Sequence, residues 1–227
     1  MKIPPHDDLK VGIFGGTFNP IHLGHLRSAE EVRERFSLDR VYFVPAARPP
    51  HKSGGALISA AHRLRMVELA IANNPFFSVS AVEIERNGLS YSIDTIRHFL
   101  NSLQPAALFF IIGLDAFREI HTWKDYHVIP ELCNLIITSR PGVSTPPLEQ
   151  LLPVALQPVL WYDPATEMYR HSSGHRLILH KIQGLNISAS QIREIARRGE
   201  SIRYFVPSAV AAYITGHALY QTEVVLR

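Results

Sequence analysis

One cysteine in 227 residues, Cys133, leaves no partner for an internal disulfide and no set of thiolates for a cysteine-rich zinc site. That economy suits a reducing compartment, and a cytoplasmic location is the expectation. Long apolar runs are missing too. Residues 1–10 are polar and proline-containing, and the apolar stretch behind them, 11–14, is far too short for a signal-peptide core or a membrane span. No targeting segment and no membrane partner are expected. Charge is sparse, at 19% of residues with a net of +3, a balance compatible with an anionic ligand and equally with none. No run of Lys and Arg interleaved with aromatics occurs; Arg197 and Arg198 read as a solvated helix end, so no nucleic-acid partner is expected. Repeats and low-complexity tracts are missing as well.

What is present is ordinary globular material. Hydrophobic residues make up 46%, which excludes wholesale disorder. The length stays within the roughly 250 residues that one core can serve, so a single domain over 1–227 is expected.

Hydrophobic periodicity alternates between strand and helix. A strand over 10–14, a helix over 22–36 and a strand over 41–44 form a βαβ unit. A helix over 59–72, a strand over 78–84, a helix over 92–103 and a strand over 107–112 continue it, with short helical pieces between 115 and 132 and a buried strand over 135–138. Ser139-Arg140-Pro141-Gly142 stops that strand, and prolines gather in a loop-rich stretch at about 141–176 with one short strand near 159–162. Regularity returns with a strand over 177–180, a helix capped by Ser188 or Ser190 and running to 198, and a helix over 208–216. The pattern predicts an α/β fold with a doubly wound, mostly parallel sheet.

The turn after the first strand reads GGTFNPIHLGH, residues 15–25, at the carboxyl edge where such sheets bind ligands. Gly15 and Gly16 allow close backbone approach, and the following helix offers N–H groups and a positive dipole end to phosphate. The turn lacks the Gly-Lys-Ser/Thr of a Walker loop and the G-x-G-x-x-G spacing of dehydrogenases, and the second strand ends in Pro45-Ala46-Ala47-Arg48 without a ribose-gripping acid. His22 and His25, three apart, project from one helix face toward the turn, and both can donate to phosphate oxygens. Histidines at a helix start also serve as caps or stand in solvent, and no third ligand lies nearby for a metal. A second strand-to-helix junction, ISASQIR at 187–193, adds hydroxyls, an arginine and another helix N-terminus. Two such helix starts converging on one sheet edge suit a polyphosphate held from both sides.

GGTFNPIHLGH and ISASQIR together resemble the signature segments of the class I nucleotidyltransferases, with their H-x-G-H motif. The resemblance spans nearly the whole chain, through Phe43-Val44-Pro45, Pro49-Pro50-His51-Lys52, Tyr91-Ser92-Ile93-Asp94-Thr95, Gly113-Leu114-Asp115, Trp123, Ser139-Arg140-Pro141-Gly142 and Val206-Pro207. The YSIDT and Trp123 elements point to the nicotinate-nucleotide adenylyltransferase branch. One departure is Asn19, where the pattern often has Asp; the amide keeps hydrogen bonding but loses the charge.

The resemblance implies a Rossmann-like nucleotidyltransferase fold, ATP and nicotinate mononucleotide as substrates, and Mg2+ bound mainly through substrate phosphates with no protein metal ligands. It implies catalytic roles for His22, His25 and Arg193, and ATP contacts from Gly15, Gly16, Thr17, Gly113, Asp115 and Ser190. Lys52, Tyr91, Asp94, Thr95, Trp123 and Arg140 become candidates for the acceptor, with Trp123 stacking on its cationic ring and the helix start at Tyr91 to Thr95 donating to its carboxylate. No feature decides between a monomer and a homo-oligomer. Competing readings are transfer to nicotinamide mononucleotide or phosphopantetheine, and a sensor that binds nucleotide without turnover.

Overall fold

The structure, a computed structural model, describes residues 8–50, 57–86, 88–142 and 145–221. Strand β1 (Lys10–Gly16) leads through helix α1 (Leu23–Phe36) to β2 (Arg40–Pro45), and α2 (Ala60–Ile71) leads to β3 (Phe77–Val79). After the short α3 (Val82–Glu85) come α4 (Ser92–Leu103), β4 (Ala107–Gly113), α5 (Leu114–Arg118), α6 (Ile129–Leu132) and β5 (Asn134–Ser139). The remainder supplies β6 (Leu160–Asp163), β7 (Met168–His171), β8 (Arg176–Lys181), α7 (Ala189–Arg197) and α8 (Ser208–Gly216).

These strands form one eight-stranded sheet in the order β3-β2-β1-β4-β5-β8-β7-β6. The first six in that order run parallel, while β7 is antiparallel to β8 and β6 to β7. The alternating pleat explains why β4 (ALFFIIG) and β5 (NLIITS) read as unbroken apolar runs: both sheet faces are covered, so neither parity of side chain meets water. Phe14, Ile111, Ile136 and Ile178 pack on one face beneath Ala29, Val32, Met66, Val67, Ile192 and Val210 of α1, α2, α7 and α8. Ile13, Phe110, Ile112 and Ile137 pack on the other face with Ile93, Ile96, Phe117 and Ile129 of α4, α5 and α6. The chain winds outward from β1 to β2 and β3, then restarts at β4 on the other side. The β1–β4 boundary is therefore the topological switch point, where the connections diverge and open a crevice above the strand ends.

Two expectations need correction. The strand expected over 78–84 ends at Val79; Ser80 Oγ accepts from the Val82 amide at 3.4 Å and the chain turns into α3, carrying Glu83 inward. The alternation there is a helical turn seen at period two, too short for pattern to separate from strand. The stretch at 141–176 is more than loop: 3-10 turns at Leu148–Gln150 and Val154–Val159 precede β6, and β7 is a strand that sequence reasoning missed. The turn between β6 and β7 is held by Asp163, which accepts from the Ala165 amide, the Thr166 hydroxyl and Arg170 Nε. Of the two caps expected for α7 the structure uses Ser188, whose Oγ accepts from the Gln191 amide at 3.2 Å.

Candidate active site

A cavity of about 390 Å³ occupies the switch-point crevice, within the range of small-ligand sites. Its floor is the carboxyl ends of the central strands: Gly15 and Gly16 from β1, Gly113 from β4, Thr138 from β5 and Ile182 beyond β8. Gly113 has open space where a side chain would stand, with no atom within 4 Å of a built Cβ, so the floor lies bare to a flat ligand at that point.

The histidine pair stands at one end of this cavity, and its geometry resolves the choice between cap and ligand donor. His22 is the N-cap of α1 and only 3% exposed; its Nδ1 accepts from the His25 amide at 3.3 Å, while His25 Nδ1 accepts from the His22 amide at 3.2 Å. The rings stack at 3.6 Å between centroids and 24° between planes. An Nδ1 that accepts a backbone N–H has no proton of its own, so each neutral ring carries its proton on Nε2. The cap thus makes both imidazoles Nε2–H donors: it consumes the acceptor nitrogen and fixes the tautomer. Burial, and secondarily the positive charge of Arg140, lower the pKa of His22 from 6.5 to about 3, so it stays the neutral donor throughout the physiological range.

This cap leaves little room for a side chain at Gly24. A Cβ there would stand 3.0 Å from His22 Nδ1 and 3.2 Å from the Leu185 carbonyl, tighter than most packed contacts, so the cap would have to give by a few tenths of an ångström. Ser28 turns its hydroxyl back to the Gly24 carbonyl at 2.7 Å, and the Leu23 amide donates to the Phe205 carbonyl at 2.9 Å, tying the start of α1 to the segment before α8.

The second signature segment meets the first through Asn19. Arg193 Nη1 donates to the Asn19 carbonyl at 2.8 Å, and the Tyr220 hydroxyl donates to Asn19 Oδ1 at 2.9 Å. Ile187 lines the cavity and its carbonyl accepts from Arg140 Nη1 at 3.5 Å; Arg193 and the exposed Ser190 stand outside the lining. Arg140, an acceptor candidate by resemblance, lines the cavity close enough to His22 for its charge to depress that histidine's pKa.

At the other end stand Tyr91, Trp123 and Lys124. Trp123 meets Phe110 edge-on at 6.3 Å. Lys124 Nζ lies 4.9 Å from the Tyr91 ring centroid and 3.3 Å from Asp94 Oδ2, fastening the Trp123 segment to α4. Asp94 and Thr95 lie outside the cavity lining: Asp94 faces Lys124, and Thr95, 1% exposed, donates to Glu83 Oε1 at 2.6 Å. Thr17 and Asp115 line the cavity, Asp115 well exposed beside Arg118 at 3.8 Å. Lys52 lies outside the described residues.

Sequence reasoning missed Arg63, Glu83, Lys124 and Tyr220. Arg63 is 1% exposed and donates to the Thr17 carbonyl at 2.8 Å, Ala46 at 2.5 Å, Ala47 at 3.1 Å and Ile58 at 3.2 Å, binding the ends of β1 and β2 to α2. A signal was there: an arginine three and four residues before Met66 and Val67 stands on the buried stripe of α2.

Among the described residues no group of three or more His, Cys, Asp or Glu is placed to hold a metal ion, and no helix is long and apolar enough to cross a membrane. The donor set at the histidine end consists of N–H groups, which hold anions rather than cations.

A doubly wound sheet with a cavity at its switch point, lined at one end by histidine N–H donors, defines a nucleotidyltransferase-type site. Residues 13–195 match the family model described as cytidylyltransferase-like. A probable nicotinate-nucleotide adenylyltransferase of Geotalea daltonii is 48% identical over 214 residues, covering 93% of this chain and 98% of that one. Another so named, of Syntrophotalea carbinolica, is 46% identical over 215 residues, covering 95% and 99%. The solved structure of Plasmodium falciparum nicotinic acid mononucleotide adenylyltransferase complexed with NaAD shares the fold at a TM-score of 0.70 and 18% identity, covering 93% of this chain and 97% of that one. This chain belongs to the cytidylyltransferase-like family, in the branch of the nicotinate-nucleotide adenylyltransferases.

Proposed function

We propose that the protein transfers the adenylyl group of ATP to nicotinate mononucleotide, giving deamido-NAD and pyrophosphate in the cytoplasmic synthesis of NAD. The observation that carries this reading is the reciprocal histidine cap, which holds two Nε2–H donors of fixed tautomer at the end of a nucleotide-sized cavity.

In the reaction the acceptor's phosphate oxygen attacks the α-phosphorus of ATP, and the bond to the bridging oxygen of pyrophosphate breaks. The nucleophile is already an anion near neutral pH, so no general base is needed. Alignment of two phosphates and neutralisation of their charge supply the rate. His22 and His25 donate to the ATP phosphates, where charge builds as pyrophosphate leaves. Arg140, between His22 and Ile187, adds a fixed positive charge on the same side. The Gly15-Gly16-Thr17 turn passes under the nucleotide, with Gly113 and Asp115 beside the adenosine. Arg193 and Ser190 reach the β and γ phosphates from the rim, Arg193 by turning from the Asn19 carbonyl it now holds. Mg2+ would be held by substrate phosphates rather than by side chains, since no group of three or more His, Cys, Asp or Glu among the described residues is placed to hold it, and would supply neutralising charge.

At the far end Trp123 stacks on the pyridinium ring, and the N-terminal amides of α4 at Tyr91 and Ser92 face its carboxylate. Asp94 and Thr95 serve that end indirectly, by fixing Lys124 and Glu83. Pyrophosphate release measured with ATP and each of nicotinate mononucleotide, nicotinamide mononucleotide and phosphopantetheine tests the assignment. Turnover fastest with nicotinate mononucleotide is expected. Turnover with phosphopantetheine alone, or binding of ATP and nicotinate mononucleotide without product, refutes it.

A further inference from the structure

Glu83, which Thr95 fixes, is a buried acid in the wall of the acceptor end of the cavity and touches neither phosphate in the reaction described above. It is 7% exposed and lines the cavity together with Ser90, Tyr91 and Ser92. Its Oε1 accepts from Thr95 Oγ1 at 2.6 Å, and Thr95 belongs to the first turn of α4, the helix whose N-terminus faces the pyridine carboxylate in the reading above. A ligand carboxylate at that helix start and the Glu83 carboxylate would therefore line the same stretch of cavity wall. Two ionised carboxylates on one partly buried wall repel each other, which favours protonation of one of them.

We propose that Glu83 sets the choice between acid and amide at the acceptor end: it takes up one proton when a carboxylated pyridine nucleotide binds, and left ionised it favours the carboxamide.

The groups packed around Glu83 are consistent with this. From α2, Arg63 attracts it but has committed its guanidinium to backbone carbonyls. From the segment after α3, Arg86 directs Nη2 at the Tyr91 carbonyl and Thr95 Oγ1, both at 3.4 Å, and touches the carboxylate only through its charge. From α4 and the loop before it, Thr95 and Ser90 donate hydroxyls, while Asp94 is paired outward with Lys124. Burial outweighs these favourable contacts and raises the Glu83 pKa above its ordinary value of 4.5. A carboxylate ligand raises it further. By linkage, the affinity for that ligand falls as pH rises through the pKa of Glu83 in the unliganded protein. The amide is neutral and can donate to an ionised Glu83, so its affinity does not fall in this way.

The inference rests on the acceptor assignment. Calorimetric titration of the intact protein with nicotinate mononucleotide, in two buffers of different ionisation enthalpy, counts the protons taken up; nicotinamide mononucleotide corrects for the phosphate that both share. The wild type should take up close to one proton more with the acid than with the amide above the pKa of Glu83. Its acid-to-amide ratio of kcat/KM should fall by up to about tenfold per pH unit there. Glu83→Gln, which keeps the shape and an acceptor for Thr95, should abolish both the extra proton and the pH dependence of the ratio. Equal proton counts for the two nucleotides in the wild type overturn the proposal without needing the variant to fold. An unchanged pH dependence in E83Q overturns it as well. Failure of the acceptor assignment would register separately, as no deamido-NAD formed in the turnover assay.

Discussion

Replacing His22 with Asn tests whether the reciprocal cap holds this imidazole neutral. Asn is a good N-cap, and its Oδ1 can replace Nδ1 as acceptor for the His25 amide, now 3.3 Å away, while removing a titrating group. In the unfolded chain His22 takes a proton below 6.5; in the folded chain burial and Arg140 delay this to about 3. Within that window the unfolded state binds the extra proton, so stability falls as pH falls. At about 1.4 kcal/mol per unit, the whole interval is worth roughly 5 kcal/mol, and the part from 6.5 down to about pH 5 roughly 2 kcal/mol. Urea unfolding of wild type and H22N at about pH 7 and about pH 5 reads the difference. The wild type should lose roughly 2 kcal/mol more than the variant between the two conditions. His171 and His180, whose pKa values burial also lowers, contribute equally to both proteins and cancel. Parallel losses would mean that His22 titrates normally in the folded chain, and would refute both the buried cap and the fixed tautomer derived from it. The activity of H22N should be low at either pH, because Asn does not reproduce the Nε2–H donor.

Three further outcomes follow from contacts in the site. Gly24→Ala drives a methyl group against His22 Nδ1 and the Leu185 carbonyl, so turnover should fall about tenfold or more and stability by about 1–3 kcal/mol, read by steady-state kinetics and thermal melting. Tyr220→Phe removes the donor to Asn19 Oδ1 without changing shape and should cost about 1 kcal/mol in a denaturant melt; full stability would show that the tie between the C-terminal segment and the glycine turn carries no energy. Lys124→Ala breaks a partly exposed ion pair worth about 0–1 kcal/mol, so melting should hardly move while KM for the pyridine nucleotide rises several-fold and KM for ATP does not. An equal rise in both KM values would detach Lys124 from the acceptor end.

Most of the central sheet was legible because its strands are buried on both faces and its helices on one, which imposes apolar runs and helical periodicity strong enough to read. The helices at Ser92–Leu103 and Ser208–Gly216 lie where the pattern places them. The hairpin of β6 and β7 was only half legible: Met168–His171 is four residues long and pairs with the strands immediately before and after it, so its alternation is too brief to stand out from the turns on either side. At the site, the glycine turn and the histidine pair announced themselves by spacing. The tautomers of that pair did not, because they depend on which backbone amide each Nδ1 meets.

Sequence by itself determined the alternation of strand and helix, the carboxyl-edge position of the Gly15 to His25 turn and the residue types able to hold phosphate. Only the tertiary structure decided what those residues do to one another. Arg63 ties two strand ends to α2, Asn19 is held by Arg193 from 174 residues away and by Tyr220 from 201 residues away, and Glu83 is turned into the cavity wall. The physical reason is that periodicity reports burial of a face, which is local, whereas a buried polar group is tolerated only with partners that the fold brings from anywhere in the chain.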